Sequence, residues 1–253
     1  MCPRNGDWEV GMLDGLTKTM PVLAADRISK SFGSVPVLFS ISMDICAGEV
    51  HAIIGENGAG KSTLMKILSG FHAPTSGKIL LDGTEVLLPQ NGETEALGIV
   101  LIHQELNLAE QLTVEENVFL GREITKAGVL DRTAMRARVQ EYLDDIGLDI
   151  MPTDRITNLS MAQKQMVEIV KAISRDARIL IMDEPTAVLT QAETQLFFRQ
   201  VERLKSKGVA IIFVSHKLNE VKEISDRVTV LRDGQMIATL DASDLTPDAM
   251  AQL

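Results

Sequence analysis

The sequence feature that most restricts the fold is a glycine-rich segment at residues 55–62, GENGAGKS, which matches the phosphate-loop pattern G-x-x-x-x-G-K-[ST]. An apolar run ending at Ile54 precedes it, and Leu64, Ile67 and Leu68 follow it at helical spacing. Glycines let the backbone curl until successive N–H groups point at phosphate oxygens, and the following helix adds the positive end of its dipole. The segment therefore predicts a strand, a phosphate-binding turn and a helix.

Two side chains in this segment have defined chemistry. Lys61 would place a point charge on the β- and γ-phosphates, and the Ser62 hydroxyl would ligate Mg²⁺. The alternative is a glycine-rich turn before an ordinary helix, which would leave the Lys-Ser pair unexplained. We predict that the nucleotide is contacted by Gly55, Asn57, Gly58, Ala59, Gly60, Lys61, Ser62 and the adjacent Thr63. The motif indicates nucleotide binding but not the reaction.

A carboxylate pair follows a second apolar run. Residues 179–182, ILIM, end in Asp183 and Glu184, so two carboxylates would emerge where a central strand leaves the core. In phosphoryl transfer one carboxylate holds the metal and a second group orients the attacking water. We assign Asp183 to Mg²⁺ and Glu184 to the water. A solvated acidic turn before Pro185 is the structural alternative.

The order of patterns along the chain indicates an α/β fold. Short strands broken by turns are predicted over residues 22–86, and a helical stretch over 110–150 that ends at Gly147. After Ser160 we predict helices at 161–174, 193–207 and 218–225 that alternate with strands at 178–182 and 209–214. Such alternation favours a mostly parallel sheet covered on both faces, with ligands beyond the carboxyl ends of its strands.

Composition excludes several classes of protein. The longest unbroken apolar run, at residues 209–214, has six residues, far fewer than the roughly 20 that a membrane-spanning helix needs. The net charge of −10 makes nucleic acid an unsuitable partner. Residues 1–20 lack hydrophobic periodicity and are expected to be a disordered leader, with Met20 as an alternative start, whereas residues 21–253 form one domain.

Residues 159–163, LSMAQ, precede the helix that leads to the ILIM strand and its carboxylates. This order resembles the signature and Walker B strand of the ATP-binding subunits of ABC transporters. The resemblance extends from about residue 22 to the end. It implies a P-loop NTPase of ABC type with a mostly parallel core sheet, an antiparallel β subdomain and an inserted helical subdomain at about residues 105–175.

The resemblance also implies roles for individual residues. Ser160 and Gln163 would face the γ-phosphate held by an opposite domain, although S-x-x-Q is also a capping box that a purely structural helix start would use. Met161 and Ala162 stand where the family most often has two glycines. The remaining matches are Phe32 for adenine stacking, Gln104 for the metal and γ-phosphate, residues 187–190 at the D-loop and His216 for the γ-phosphate. A core position for Phe32, a surface glutamine at Gln104 and a structural histidine at His216 are the alternatives.

Residues 55–66 and 116–123 are similar to the N-terminal domain of the sugar-importer branch, which takes up ribose, galactose, arabinose and related monosaccharides. The branch implies an ATPase that uses ATP and Mg²⁺ on the inner face of the cell membrane. Its partners would be a second nucleotide-binding domain, permease subunits docked near residues 104–150 and, indirectly, an extracellular sugar-binding protein.

Branch members usually carry two such domains, whereas this sequence has one phosphate loop. We expect a truncated first half or, alternatively, a homodimer. A non-transport ABC ATPase of the DNA-repair or regulatory type is the other candidate. Only 99 positions separate Lys61 from Ser160, too few for a long coiled coil, and a regulator would be expected to lack Glu184 or His216.

Overall fold

The computed structural model describes residues 20–89, 93–104 and 106–252, so the predicted leader, apart from Met20, lies outside the described residues. The strands are β1 (Leu23–Phe32), β2 (Val35–Ile45), β3 (Val50–Ile54), β4 (Ser76–Leu81), β5 (Thr84–Val86), β6 (Ile99–Ile102), β7 (Thr125–Lys126), β8 (Val129–Leu130), β9 (Ile179–Asp183), β10 (Ala210–Val214), β11 (Arg227–Arg232) and β12 (Gln235–Asp241). The helices are α1 (Lys61–Leu68), α2 (Val114–Val118), α3 (Arg132–Ile146), α4 (Met161–Ile173), α5 (Gln191–Ser206), α6 (Leu218–Ile224) and α7 (Pro247–Gln252).

The main sheet has six strands in the order β12-β11-β3-β10-β9-β6, and all neighbours are parallel except the edge pair β11 and β12. Its central strands are apolar throughout because both faces are covered. Alternate residues serve opposite faces: Leu180 and Phe213 pack with the helices α3 to α6, whereas Ile181 and Ile212 pack with α1 and the second sheet. The predicted mostly parallel core is confirmed.

The second sheet has four antiparallel strands in the order β2-β1-β4-β5. Ile28, Ile41 and Ile79 are buried on its inner face, which packs against α1 and the main sheet. The predicted antiparallel β subdomain is therefore present.

The region between β6 and β9 carries α2, α3 and α4. Helix α3 buries Met135, Val139, Leu143 and Ile146 at helical spacing and ends at Gly147, whose φ of 66° is left-handed. The helical stretch predicted over 110–150 contains α2 and α3, but β7 and β8 form an antiparallel ribbon between them. Among the helices of the described ranges, none combines the length and apolar character that would let it traverse a bilayer.

Buried charges at the amino end of β3 connect the two sheets. Arg227 donates to Asp44 (Nη1–Oδ2, 3.1 Å) and to Glu49 (Nη1–Oε1, 3.1 Å). Burial favours the neutral form of Glu49, but nearby His51 and Arg227 and the N–H of Cys46 outweigh it and hold the pKa of this carboxyl below its usual range. The ionised network therefore stabilises the end of the molecule opposite the carboxyl ends of the strands.

Candidate functional site

The parallel register brings four strand ends together at one edge of the main sheet. Val214 of β10 aligns with Ile53 of β3 on one side and with Asp183 of β9 on the other. Strand β9 in turn aligns Met182 with Ile102 of β6. The chain segments that leave β3, β10, β9 and β6 therefore start side by side.

The predicted site residues other than Phe32, Ser160 and Gln163 lie at these strand ends or in the segments that follow them. The phosphate loop follows β3, His216 follows β10, Glu184 follows β9 and Gln104 follows β6. Gln104 and Glu184 line one cavity of about 590 Å³. Residues that are far apart in sequence are thus brought together by strand order.

The loop itself is shaped to receive an anion. Gly58 and Gly60 have φ values of 88° and 101°, and Gly60 starts α1 without a side-chain cap or an acidic residue in the first turn. Uncapped N–H groups at a helix start and the positive end of the helix dipole favour negative charge. A Cβ on Gly60 would lie 2.5 Å from Cδ2 of Leu38, so a side chain at this position would require Leu38 to move.

Lys61 lies inside the loop. Its Nζ donates to the carbonyl oxygens of Gly55 (2.7 Å) and Glu56 (3.0 Å). Burial lowers the pKa of this ammonium, while the charges of Glu184 and Asp183 oppose that change. The contacts place a cation between the loop and the carboxylate pair.

Asp183 and Ser62 supply oxygen donors of the kind that Mg²⁺ prefers. Burial and, next, the charge of Glu184 raise the pKa of Asp183, so a bound cation would favour its ionised form. The hydroxyl-bearing Ser62 is exposed, as is Gln104. Within the described ranges no group of three or more His, Cys, Asp or Glu side chains could hold a metal, so these three donors fit Mg²⁺ only together with phosphate oxygens.

Glu184 and His216 form a contact between neighbouring strand ends. His216 Nδ1 lies 3.0 Å from Glu184 Oε1, and the Glu184 N–H donates to the carbonyl of Val214 at 2.9 Å. Glu184 has a φ of 47°, a left-handed conformation that non-glycine residues seldom adopt. His216 is exposed and lies outside the core, which argues against its interpretation as a purely structural histidine.

Ser160 begins α4 with a complete capping box. Its Oγ accepts from the Gln163 N–H (3.3 Å), and Gln163 Oε1 accepts from the Ser160 N–H (2.9 Å). Ser160 is exposed and faces a cavity that it shares with Gly147 and Leu196, on the helical side of the chain. The capping box predicted from the S-x-x-Q pattern is present, and the amide oxygen of Gln163 is already used by it.

Phe32 is 45% exposed, so its interpretation as a core residue is wrong. It ends β1 with its ring edge-on to His72 (centroids 5.4 Å apart), and Lys30 Nζ lies 5.0 Å from its ring centroid. The sequence offered no signal for His72. The same holds for His103, whose charge acts on Asp183 although it matches no motif.

The fold and the strand-end cluster define the class of protein as a P-loop nucleotide-binding domain. The sequence profile described as "ABC transporter" matches residues 38–187. The chain therefore belongs to the ABC transporter family.

Relatives and solved structures agree with this assignment. The chain is 49% identical over 227 residues to a putative ribose/galactose/methyl galactoside import ATP-binding protein of Agrobacterium fabrum, covering 90% of the chain and 45% of the relative. It is 47% identical to the xylose import ATP-binding protein of Photobacterium profundum, with 90% and 46% covered. A nucleotide-free ATP-binding cassette from an ABC transporter superposes with a TM-score of 0.81 at 26% identity, with 92% and 96% covered. The chain spans about half the length of the curated relatives it matches.

Proposed function

We propose that this chain is an ATP-hydrolysing domain that energises monosaccharide import across a cell membrane, bound at its inner face. The observation that carries the proposal is the convergence of Lys61, Asp183, Glu184 and His216 at one edge of the sheet. The names of the relatives, which are import proteins for ribose, galactose and xylose, support the transport role and the class of solute.

Individual residues of the chain would have separate roles in ATP binding and hydrolysis. The loop N–H groups and Lys61 bind the phosphates of ATP, and Phe32 stacks on the adenine. Ser62, Asp183 and Gln104 would hold Mg²⁺, which would supply positive charge against the transferred phosphoryl group. Glu184 orients the attacking water, and its carboxylate is itself held by His216 at 3.0 Å.

A second nucleotide-binding domain would complete the site. Ser160 is exposed at the start of α4, so its helix terminus is accessible to a γ-phosphate bound by the second domain, which would be another copy of this chain or a C-terminal half. We further propose that about residues 105–175 form a helical subdomain and that permease subunits dock near residues 104–150. An extracellular sugar-binding protein would act through that permease.

The test is Mg-ATP hydrolysis by the purified chain compared with Glu184→Gln, with size-exclusion chromatography in ATP. We expect the variant to lose at least about 100-fold in kcat while still binding ATP and accumulating as a dimer. Glu141→Gln is the matched control, since Glu141 lies on the exposed face of α3, where it pairs with Arg138. Equal hydrolysis by wild type and Glu184→Gln would refute the assignment of Glu184. Sugar uptake is tested separately, by reconstituting the chain with its permease in vesicles and supplying labelled ribose or galactose.

A further inference from the structure

Thr186 lies two residues after Glu184 and is only 1% exposed. Its hydroxyl donates to Glu220 Oε2 in a close contact, and its carbonyl oxygen accepts from Lys217 Nζ at 2.7 Å. The same carbonyl also accepts from the Leu189 N–H at 3.3 Å. Both polar groups of one buried residue are therefore held by charged side chains, and hydrogen bonds to charged groups are the stronger kind.

The two charged partners belong to the segment that follows His216. Lys217 precedes α6 and Glu220 lies in its first turn, and the two pair with each other (Nζ–Oε1, 3.1 Å). Lys217 is fixed further by its N–H, which donates to the hydroxyl of buried Ser215 at 3.1 Å. The start of α6 therefore holds the turn after β9 by hydrogen bonds, next to the contact between His216 and Glu184.

The backbone conformation of Glu184 requires these hydrogen bonds. Glu184 has a φ of 47°, and a residue in a sparsely populated conformation persists only when its surroundings hold it there. On the strand side its N–H is bonded to the carbonyl of Val214, and on the turn side the Ala187 N–H donates to its carbonyl at 3.1 Å. Thr186 lies between these points and is the residue through which α6 fixes the turn.

We propose that Thr186 is a positioning residue for ATP hydrolysis: held by Lys217 and Glu220, it keeps the Glu184 carboxylate in register with His216. The inference rests on the proposed function, because it assigns Thr186 a part in placing the water-orienting group. It predicts that loss of the hydroxyl changes turnover and leaves nucleotide binding, which depends on the separate phosphate loop, unchanged.

The test compares Thr186→Val with Thr186→Ser in the full chain. Valine keeps the shape but removes the hydroxyl, whereas serine keeps the hydroxyl. Because a small misplacement of a reacting group costs up to roughly a hundredfold in rate, we expect kcat of the valine variant to fall by about 10- to 100-fold. KM and the Kd for ATP should stay within about twofold, and serine should restore most of the rate. Thr229→Val is the matched control, because Thr229 is as deeply buried as Thr186 but lies away from the site. Its hydroxyl forms a hydrogen bond of 2.7 Å with His51.

A second readout does not depend on activity. The ¹⁵N spectrum of the His216 ring, assigned with His216→Gln, reports its contact with Glu184. We expect Thr186→Val to shift the Nδ1 signal toward its position in Glu184→Gln, and Thr186→Ser and Thr229→Val to leave it in place. An unshifted signal in a folded Thr186→Val variant, or equal losses of kcat in the valine and serine variants, would overturn the positioning role. Absence of both ATP binding and ATP hydrolysis in the wild-type chain would instead refute the proposed function, and the spectrum would still decide the role of Thr186.

Discussion

Alanine substitutions at the three loop glycines should destabilise the protein in a fixed order. All three glycines have positive φ values: 152° at Gly55, 88° at Gly58 and 101° at Gly60. They differ in what a Cβ would meet. At Gly58 nothing lies within 4 Å, at Gly60 the flexible end of Leu38 lies at 2.5 Å, and at Gly55 the backbone oxygen of Leu231 lies at 2.1 Å.

The magnitudes follow from these distances. Gly58→Ala costs only the left-handed conformation, about 1–2 kcal/mol. Gly55→Ala adds an overlap with a backbone atom fixed in β11, and overpacking of this kind costs about 1–3 kcal/mol more. Gly60→Ala should fall between the two, because the side chain of Leu38 can rotate away. In a chain of this size each kcal/mol lowers Tm by about 2–4 °C.

The assay is urea unfolding followed by circular dichroism, without nucleotide, with ATP binding measured on the same samples. Gly58→Ala should stay folded, so any loss of ATP affinity in that variant reports the loop itself. If Gly58→Ala destabilised the protein as much as Gly55→Ala does, the steric argument from the Leu231 oxygen would be refuted.

Three further predictions concern charges and caps. Arg136→Ala removes two hydrogen bonds from Glu115, which is only 2% exposed, so we expect this variant to lose more stability in urea unfolding than Arg138→Ala, whose ion pair is exposed. Equal losses in the two variants would contradict this reasoning. The pKa of Glu49 is lower in the folded protein than its unfolded value of 4.5. The wild type should therefore be more stable than Glu49→Gln above pH 4.5, and this difference should shrink as the pH falls through the folded pKa. Urea unfolding across this pH range measures the difference, and a constant difference would contradict the prediction. Ser160→Asp keeps a good N-cap, so thermal stability should change little. The added negative charge should abolish the ATP-dependent dimer on size-exclusion chromatography. A persisting dimer would show that Ser160 does not meet the γ-phosphate.

Local patterns in the sequence predicted much of the fold. The phosphate loop, the ILIM strand and the helix capped by Ser160 are all contained in short segments, where spacing and residue type determine the structure. The parallel sheet follows from the alternation of such segments. Within this frame the positions of Lys61 and Glu184 at strand ends were also predictable, because strand ends are where these motifs occur.

Other features depend on contacts that local patterns do not encode. The β7 and β8 strands have two residues each, too short for any periodicity, and their ribbon turns at Gly128 with a φ of 80°. Strands β11 and β12 were not predicted, although Asp233 and Gly234 lie between them as a turn dipeptide. Strand β11 pairs with β3, from which 172 residues (55–226) separate it, and β12 pairs with β11. This pairing is decided by burial in the assembled sheet and not by nearby sequence.

The replacement of two signature glycines by Met161 and Ala162 is compatible with the helix start that the family needs. Neither residue takes part in the capping box, which uses only Ser160 and Gln163, so the N–H groups of the first turn keep their direction. Met161 is 43% exposed and lines the cavity that also contains Gln104 and Glu184. A bulkier side chain at this position therefore changes the surface next to Glu184 without changing the helix dipole. Any effect of these replacements should appear in the fit of a second domain and not in the stability of the single chain.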